Sequence, residues 1–151
     1  SGPDTHQWSH PPFTFVNFNF GDLNFEIHCT PGHTPGHITL IGHGVIISGD
    51  CLFLGRCGMT DLYGGDMYSM WESQMHLHLR FEKLPNNWII LPGHRYPIND
   101  ENNPTYISLE FLLKHNPAIK KQSFEEFSKL SFLEFDDSLS EKAKRQKAKD
   151  E

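Results

Sequence analysis

A chain of 151 residues, of which 37% are apolar, is sized for one domain around a single buried core. Nineteen acidic residues against thirteen basic ones leave a net charge of −6, and the basic residues gather only at Lys142–Lys149, which argues against nucleic acid as a partner. No run approaches the ~20 consecutive apolar residues that span a bilayer, so no membrane partner is expected.

Cys29, Cys51 and Cys57 are odd in number, lack CxxC spacing and follow no apolar leader. A disulfide framework is not indicated, and a reducing, cytoplasmic location is expected.

Residues 1–12, which include "THQWSHPP", read as a loop or an expression-derived segment, with His6 and His10 as exposed polar residues. The runs "FTFVNFNF" (13–20) and "LNFEIHC" (23–29) flank "GD" and predict a hairpin. "HITLIG" and "VIISGD", joined by "HG", predict a second strand pair.

From Asp66 to Leu84 the residues Met67, Met70, Trp71, Met75, Leu79 and Leu84 recur near helical spacing and predict an amphipathic helix. "NNWIILPG" reads as a short buried strand. A second helix is expected over Thr105–His115, with Ile107, Phe111 and Leu112 inward and Pro117 as its stop. "SFEEFSKLSFLEF" predicts a third helix, with Ser123 as N-cap and Glu126 completing a capping box. Residues 136–151 form a charged tail with almost no apolar face, expected to be frayed or weakly helical. Strands first, then strand and helix in alternation, amount to an α/β layered domain over residues 13–135.

Three predicted strands end in loops that each carry a metal-capable side chain: His33 in "PGHTPGH", Asp50 in "SGD" and His94 in "LPGH". Layered α/β folds gather sites at strand ends of this kind. The adjacent Gly32, Gly49 and Gly93 permit sharp turns there. Two imidazoles and a carboxylate suit Zn²⁺ or Fe²⁺ and suit Ca²⁺ poorly. His37 reads as the start of the following strand, and His28 and His43 as strand or turn residues. "HLH" at His76–His78 falls mid-helix, where residues i and i+2 point to opposite sides.

"TPGHTPGH", "IISGDCLFLGRCGMTDLYGGD" and "LPNNWIILPGHRY" resemble the third, fourth and fifth metal motifs of the metallo-β-lactamase superfamily, in its glyoxalase II-like and persulfide dioxygenase-like branches. The resemblance spans about Asp22–Pro117. It implies that His33 joins a first metal site, that Asp50 bridges two metals and orients the reacting water, and that His94 serves the second site. Arg56 matches a basic group that contacts glutathione-type substrates.

The superfamily's leading motif, HxHxDH, is absent from these 151 residues. The resemblance therefore implies the C-terminal half of an αβ/βα sandwich, a mixed sheet flanked by helices. Its open face, with Phe13, Phe15, Phe18, Phe20 and Phe25, would need cover from a homodimer partner, a missing N-terminal segment or the extra C-terminal helix.

The implied activity is thioester or ester hydrolysis with one or two Zn²⁺ or Fe²⁺ ions, on a small-molecule substrate such as a glutathione conjugate. The alternatives are a non-haem iron persulfide dioxygenase and a catalytically incomplete half-domain that serves as an assembly module.

Overall fold

The structure, a computed structural model, describes residues 10–98 and 103–133. His6, the charged tail and the last two residues of the third predicted helix lie outside the described residues.

One six-stranded sheet runs in chain order: β1 (Phe15–Phe20), β2 (Leu23–Cys29), β3 (Ile38–Gly42), β4 (Val45–Gly49), β5 (Ile89–Pro92) and β6 (Ile107–Ser108). Every neighbouring pair is antiparallel except β4 and β5. A parallel pair cannot be closed by a tight turn, and the crossover here contains α1 (Met67–Phe81). Both predicted hairpins form. In the second turn, His43 and Gly44 both take positive φ, 52° and 78°, the backbone that a two-residue hairpin loop with right-handed twist requires. The His43 ring then accepts a hydrogen bond from the Asn24 amide at 2.9 Å.

The strand registers sort the side chains into two faces. Ile41, Ile46, Ile90 and Ile107 lie side by side across β3, β4, β5 and β6. They join one buried cluster with Met70, Leu77 and Phe81 of α1, Leu109 and Leu112 of α2 (Leu109–His115) and Phe127 of α3 (Phe124–Ser128). The opposite face carries the row Val16, Ile27, Leu40, Ile47, Leu91, with Phe18, Phe20, Leu23 and Phe25 beside it. Ile47 is 39% exposed and Phe20 72%, while the described helices commit their buried apolar side chains to the first face.

Phe15 departs from the expected set. It pairs in register with His28, on the helix side, and stacks on that ring at 4.7 Å. Phe13 precedes β1, at a φ of 60°.

Three helical expectations are corrected. The buried row of α1 is Met70, Ser73, Gln74, Leu77 and Phe81, whereas Leu79 is 56% exposed. The expected set shares only Met70 with this row and leaves out both the polar Ser73 and Gln74 and the apolar Leu77 and Phe81. The helix expected from Thr105 opens as strand β6, since Ile107 pairs with Ile90, and α2 starts only after Ser108 caps it by accepting the Phe111 amide.

The third helix stops at Ser128, whose hydroxyl bonds back to the Glu125 carbonyl, and a 3-10 turn follows at Ser131–Leu133. Its capping box between Ser123 and Glu126 is present as expected. No described helix is long and apolar enough to cross a membrane.

The row assignment for α1 predicts opposite fates for two leucines. Leu77→Ala should cost about 2–5 kcal/mol by urea unfolding, the range for a buried leucine truncated in a packed core. Leu79→Ala should stay within about 0.5 kcal/mol of the parent.

Candidate metal centre

β2 and β4 both run antiparallel to β3, and β5 runs parallel to β4. The carboxyl ends of β2, β4 and β5 therefore open on one edge of the sheet. The loops carrying His33, Asp50 and His94 leave from that edge.

Helix α1 holds the first two loops through the polar residues of its buried row. The Ser73 hydroxyl donates to the Pro31 carbonyl at 2.6 Å, and the Gln74 amide donates to the Cys51 carbonyl at 2.8 Å. At the helix start, Asp66 caps by accepting the Ser69 amide, and its own amide donates to the Gly32 carbonyl at 2.8 Å. A buried hydroxyl or amide is tolerated where it is hydrogen-bonded, and here those bonds determine where the loops sit.

Nδ1 of His33 lies 2.7 Å from the Met59 carbonyl. A carbonyl only accepts, so the proton is on Nδ1 and the Nε2 lone pair faces outward. That Nε2 stands 3.5 Å from Oδ2 of Asp50. On the other side of the carboxylate, Nδ1 of His94 meets Oδ1 of Asp50 at 2.5 Å. Gly93 makes this meeting possible, because a Cβ there would fall 2.6 Å from Oδ1 of Asp50.

The three residues read from the sequence thus come together, with His33 and His94 on the two oxygens of Asp50. A tetrahedral ion with bonds of ~2.1 Å holds adjacent donor atoms ~3.4 Å apart, so the His33–Asp50 spacing fits two ligands of one ion. His94 sits directly on the carboxylate, with no space for an ion between those atoms. Among the described residues no group of three His, Cys, Asp or Glu side chains encloses an ion. The donor chemistry fits Zn²⁺ or Fe²⁺, with two ligands spaced for an ion and a third beside them.

Arg56 does not touch Asp50. Its guanidinium lies over the rings of Tyr96, at 5.1 Å, and Phe132, at 5.5 Å. Tyr96 and His94 both pack near Phe53, so Arg56 reaches the His94 side through an aromatic wall. Cation–π contacts of this kind give the arginine a structural role whatever it binds. All three cysteines are buried and none forms a disulfide. Burial pushes the Cys51 thiol up to about 12 and Cys57 higher still, so neither supplies a thiolate near neutrality.

A mixed sheet with helices packed on one face, and metal-capable residues at three strand ends, defines a metallo-β-lactamase-type half-sandwich. The sequence profile of the metallo-beta-lactamase superfamily matches residues 11–94, and the chain belongs to that superfamily. Hydroxyacylglutathione hydrolase of Tolumonas auensis is 35% identical over 102 residues, 68% of this chain and 34% of that one. The mitochondrial persulfide dioxygenase ETHE1 of Homo sapiens is 33% identical over 82 residues, 53% of this chain and 31% of its own length. The chain spans about a third of the length of these curated relatives. Among solved structures, ETHE1 from Myxococcus xanthus superimposes with a TM-score of 0.63 at 27% identity, covering 85% of this chain and 54% of that one.

A second histidine cluster, not anticipated as such from the sequence, lies on the helix side of β2. The Glu26 carboxylate receives Nε and Nη2 of Arg80 at 2.8 and 2.7 Å and Nε2 of His28 at 2.9 Å. Nδ1 of His28 then meets Nε2 of His76 at 2.8 Å. Because the carboxylate only accepts, His28 carries its proton on Nε2, and His76 must donate to its Nδ1. Both nitrogens of His28 are therefore used, which leaves neither for a metal. His78 points elsewhere, to the Ile119 carbonyl and Glu82, as the spacing argument for "HLH" required.

Burial pushes the Glu26 carboxyl up, but hydrogen bonds from Arg80 and His28 outweigh it and leave the group below its ordinary value. Burial, outweighing the nearby carboxylate, holds His28 low, and burial with the adjacent His28 pushes His76 down to about 4. The unfolded chain binds protons on these rings near pH 6.5 while the folded one does not. Stability should be full above pH 6.5 and decline toward pH 4. His76→Gln, which keeps a donor for His28, should flatten that decline in urea unfolding followed across the same window.

Proposed function

We propose that this chain carries part of the metal centre of a glyoxalase II-like hydrolase, which cleaves a thioester or ester such as a glutathione conjugate. The observation that carries the reading is the convergence of His33 and His94 on the two carboxylate oxygens of Asp50. Support comes from the hydroxyacylglutathione hydrolase likeness, which covers 68% of this chain.

In this reading His33, Asp50 and His94 would hold one or two Zn²⁺ or Fe²⁺ ions. The bound ion supplies an acidified water and a polarised carbonyl at neutral pH. His33 contributes a fixed tautomer through Met59. Asp50 would contribute the negative charge that balances the cation and an acceptor for a water bound there. Arg56 and Tyr96 form the wall against which an anionic substrate group rests. Ligands beyond these three come from a segment that covers the open sheet face, either a second copy or a preceding part of a longer chain.

A second reading, a non-haem iron persulfide dioxygenase, is favoured by the superposition on the Myxococcus xanthus protein and by the human relative. It uses the same His33 and Asp50 with O₂ as co-substrate.

The chain purified without added metal should contain zinc or iron by elemental analysis, and His33→Ala and Asp50→Ala should each lose most of it while retaining the parent circular dichroism. A parent chain that stays metal-free would rule out a second copy as the source of the further ligands, and a chain joined to its covering segment that is also metal-free would sink both readings and leave the assembly-module role. A glutathione thioester assay run beside a glutathione persulfide assay with oxygen uptake separates hydrolase from dioxygenase.

A further inference from the structure

His37, which from sequence alone does no more than open β3, makes the contact that fixes the main chain of Asp50. We propose that His37 is a positioning residue, holding Asp50 from behind through its backbone amide without touching ion or substrate. The inference rests on the metal reading above for its functional consequence, though not for its geometry.

The Asp50 amide donates to Nε2 of His37 at 3.0 Å. An amide can only donate, so Nε2 bears the lone pair and the ring proton is on Nδ1. Nδ1 lies 3.0 Å from the Thr30 hydroxyl, which must therefore accept. The Thr30 hydroxyl also bonds the Thr39 hydroxyl at 2.9 Å and lies within hydrogen-bond reach of the Cys51 thiol. Thr30 and Thr39 are fully buried. The Thr30 amide also donates to the His37 carbonyl at 2.9 Å, which closes the base of the loop. One donor direction at Asp50 thus sets the His37 tautomer and makes Thr30 the acceptor of its Nδ1 proton, in a chain of bonds that ends inside β3.

Gly49 supports the same assignment. Its φ is +51°, and a Cβ there would fall 2.6 Å from Nε2 of His37. The residue before Asp50 lacks a side chain where the imidazole needs the space. With its amide pinned on one side, Asp50 presents its carboxylate to His33 and His94 on the other. Supports of this kind behind a metal ligand are worth roughly 10- to 100-fold in metal affinity.

The test uses the full 151-residue chain, labelled with ¹⁵N. A through-hydrogen-bond coupling between the Asp50 amide and Nε2 of His37 should be visible with no metal present, and its absence overturns the proposal. Zn²⁺ affinity is then measured by competition with a chromophoric chelator. His37→Phe should weaken it by roughly 10- to 100-fold, and His37→Gln, whose Oε1 accepts in place of Nε2, should recover most of the loss.

Thr30→Val leaves the ring in place but removes the acceptor for Nδ1. It should weaken Zn²⁺ in the same direction, and it keeps the test decisive if His37→Phe fails to fold. A His37→Phe protein that is less stable yet binds Zn²⁺ as the parent does overturns the positioning role. An Asp50→Ala protein that binds Zn²⁺ unchanged sinks the metal reading instead, while the coupling still decides whether His37 holds the amide.

Discussion

The parallel pairing of β4 with β5 is the constraint on which the rest of the architecture depends. It forces the chain to leave the sheet after Gly49, cross it as α1 and re-enter at Ile89, so the helix and the site edge are consequences of one strand pairing. Without that crossover, His94 would not share an edge with Asp50. The crossover also explains why α1 carries polar residues in its buried row. Ser73 and Gln74 lie over loops whose carbonyls have no strand partner, and they supply the missing donors.

Two histidine networks show the same physics put to different ends. Around Asp50, an amide donor propagates through His37 to a pair of threonines and leaves the carboxylate free to face outward. Around Glu26, a carboxylate acceptor orders His28 and His76 and is itself taken up by Arg80. In each case a group with a single hydrogen-bonding role sets the tautomer of the ring beside it. The first network ends at an exposed strand edge and the second is closed by Arg80, which is why only the first offers a site.

Much of this was legible in the sequence. The hairpins followed from alternation and from their two-residue turns, and His33, Asp50 and His94 stood out because each followed a strand and neighboured a glycine. What stayed hidden was hidden for physical reasons. Ser73 and the Gln74 amide nitrogen are buried with carbonyl partners, and a reading built on apolar periodicity counts both residues as surface. Strand β6 is two residues long and was absorbed into the helix that follows it. His37 looked like a strand-start residue because its partner, the Asp50 amide, is a main-chain group that no side-chain pattern announces.

The topology also orders events in time. β1 to β4 form a meander of neighbouring strands, closed by two-residue turns at Gly21–Asp22 and His43–Gly44. Such local contacts carry little loop-closure cost and form early, whereas the β4–β5 pair must wait for the whole crossover to be ordered. His33, His37 and the two threonines belong to the early meander, and His94 arrives only with β5. The His37 support behind Asp50 is thus local to the meander, whereas the Met59 partner of His33 and the α1 bonds to both loops come only with the crossover.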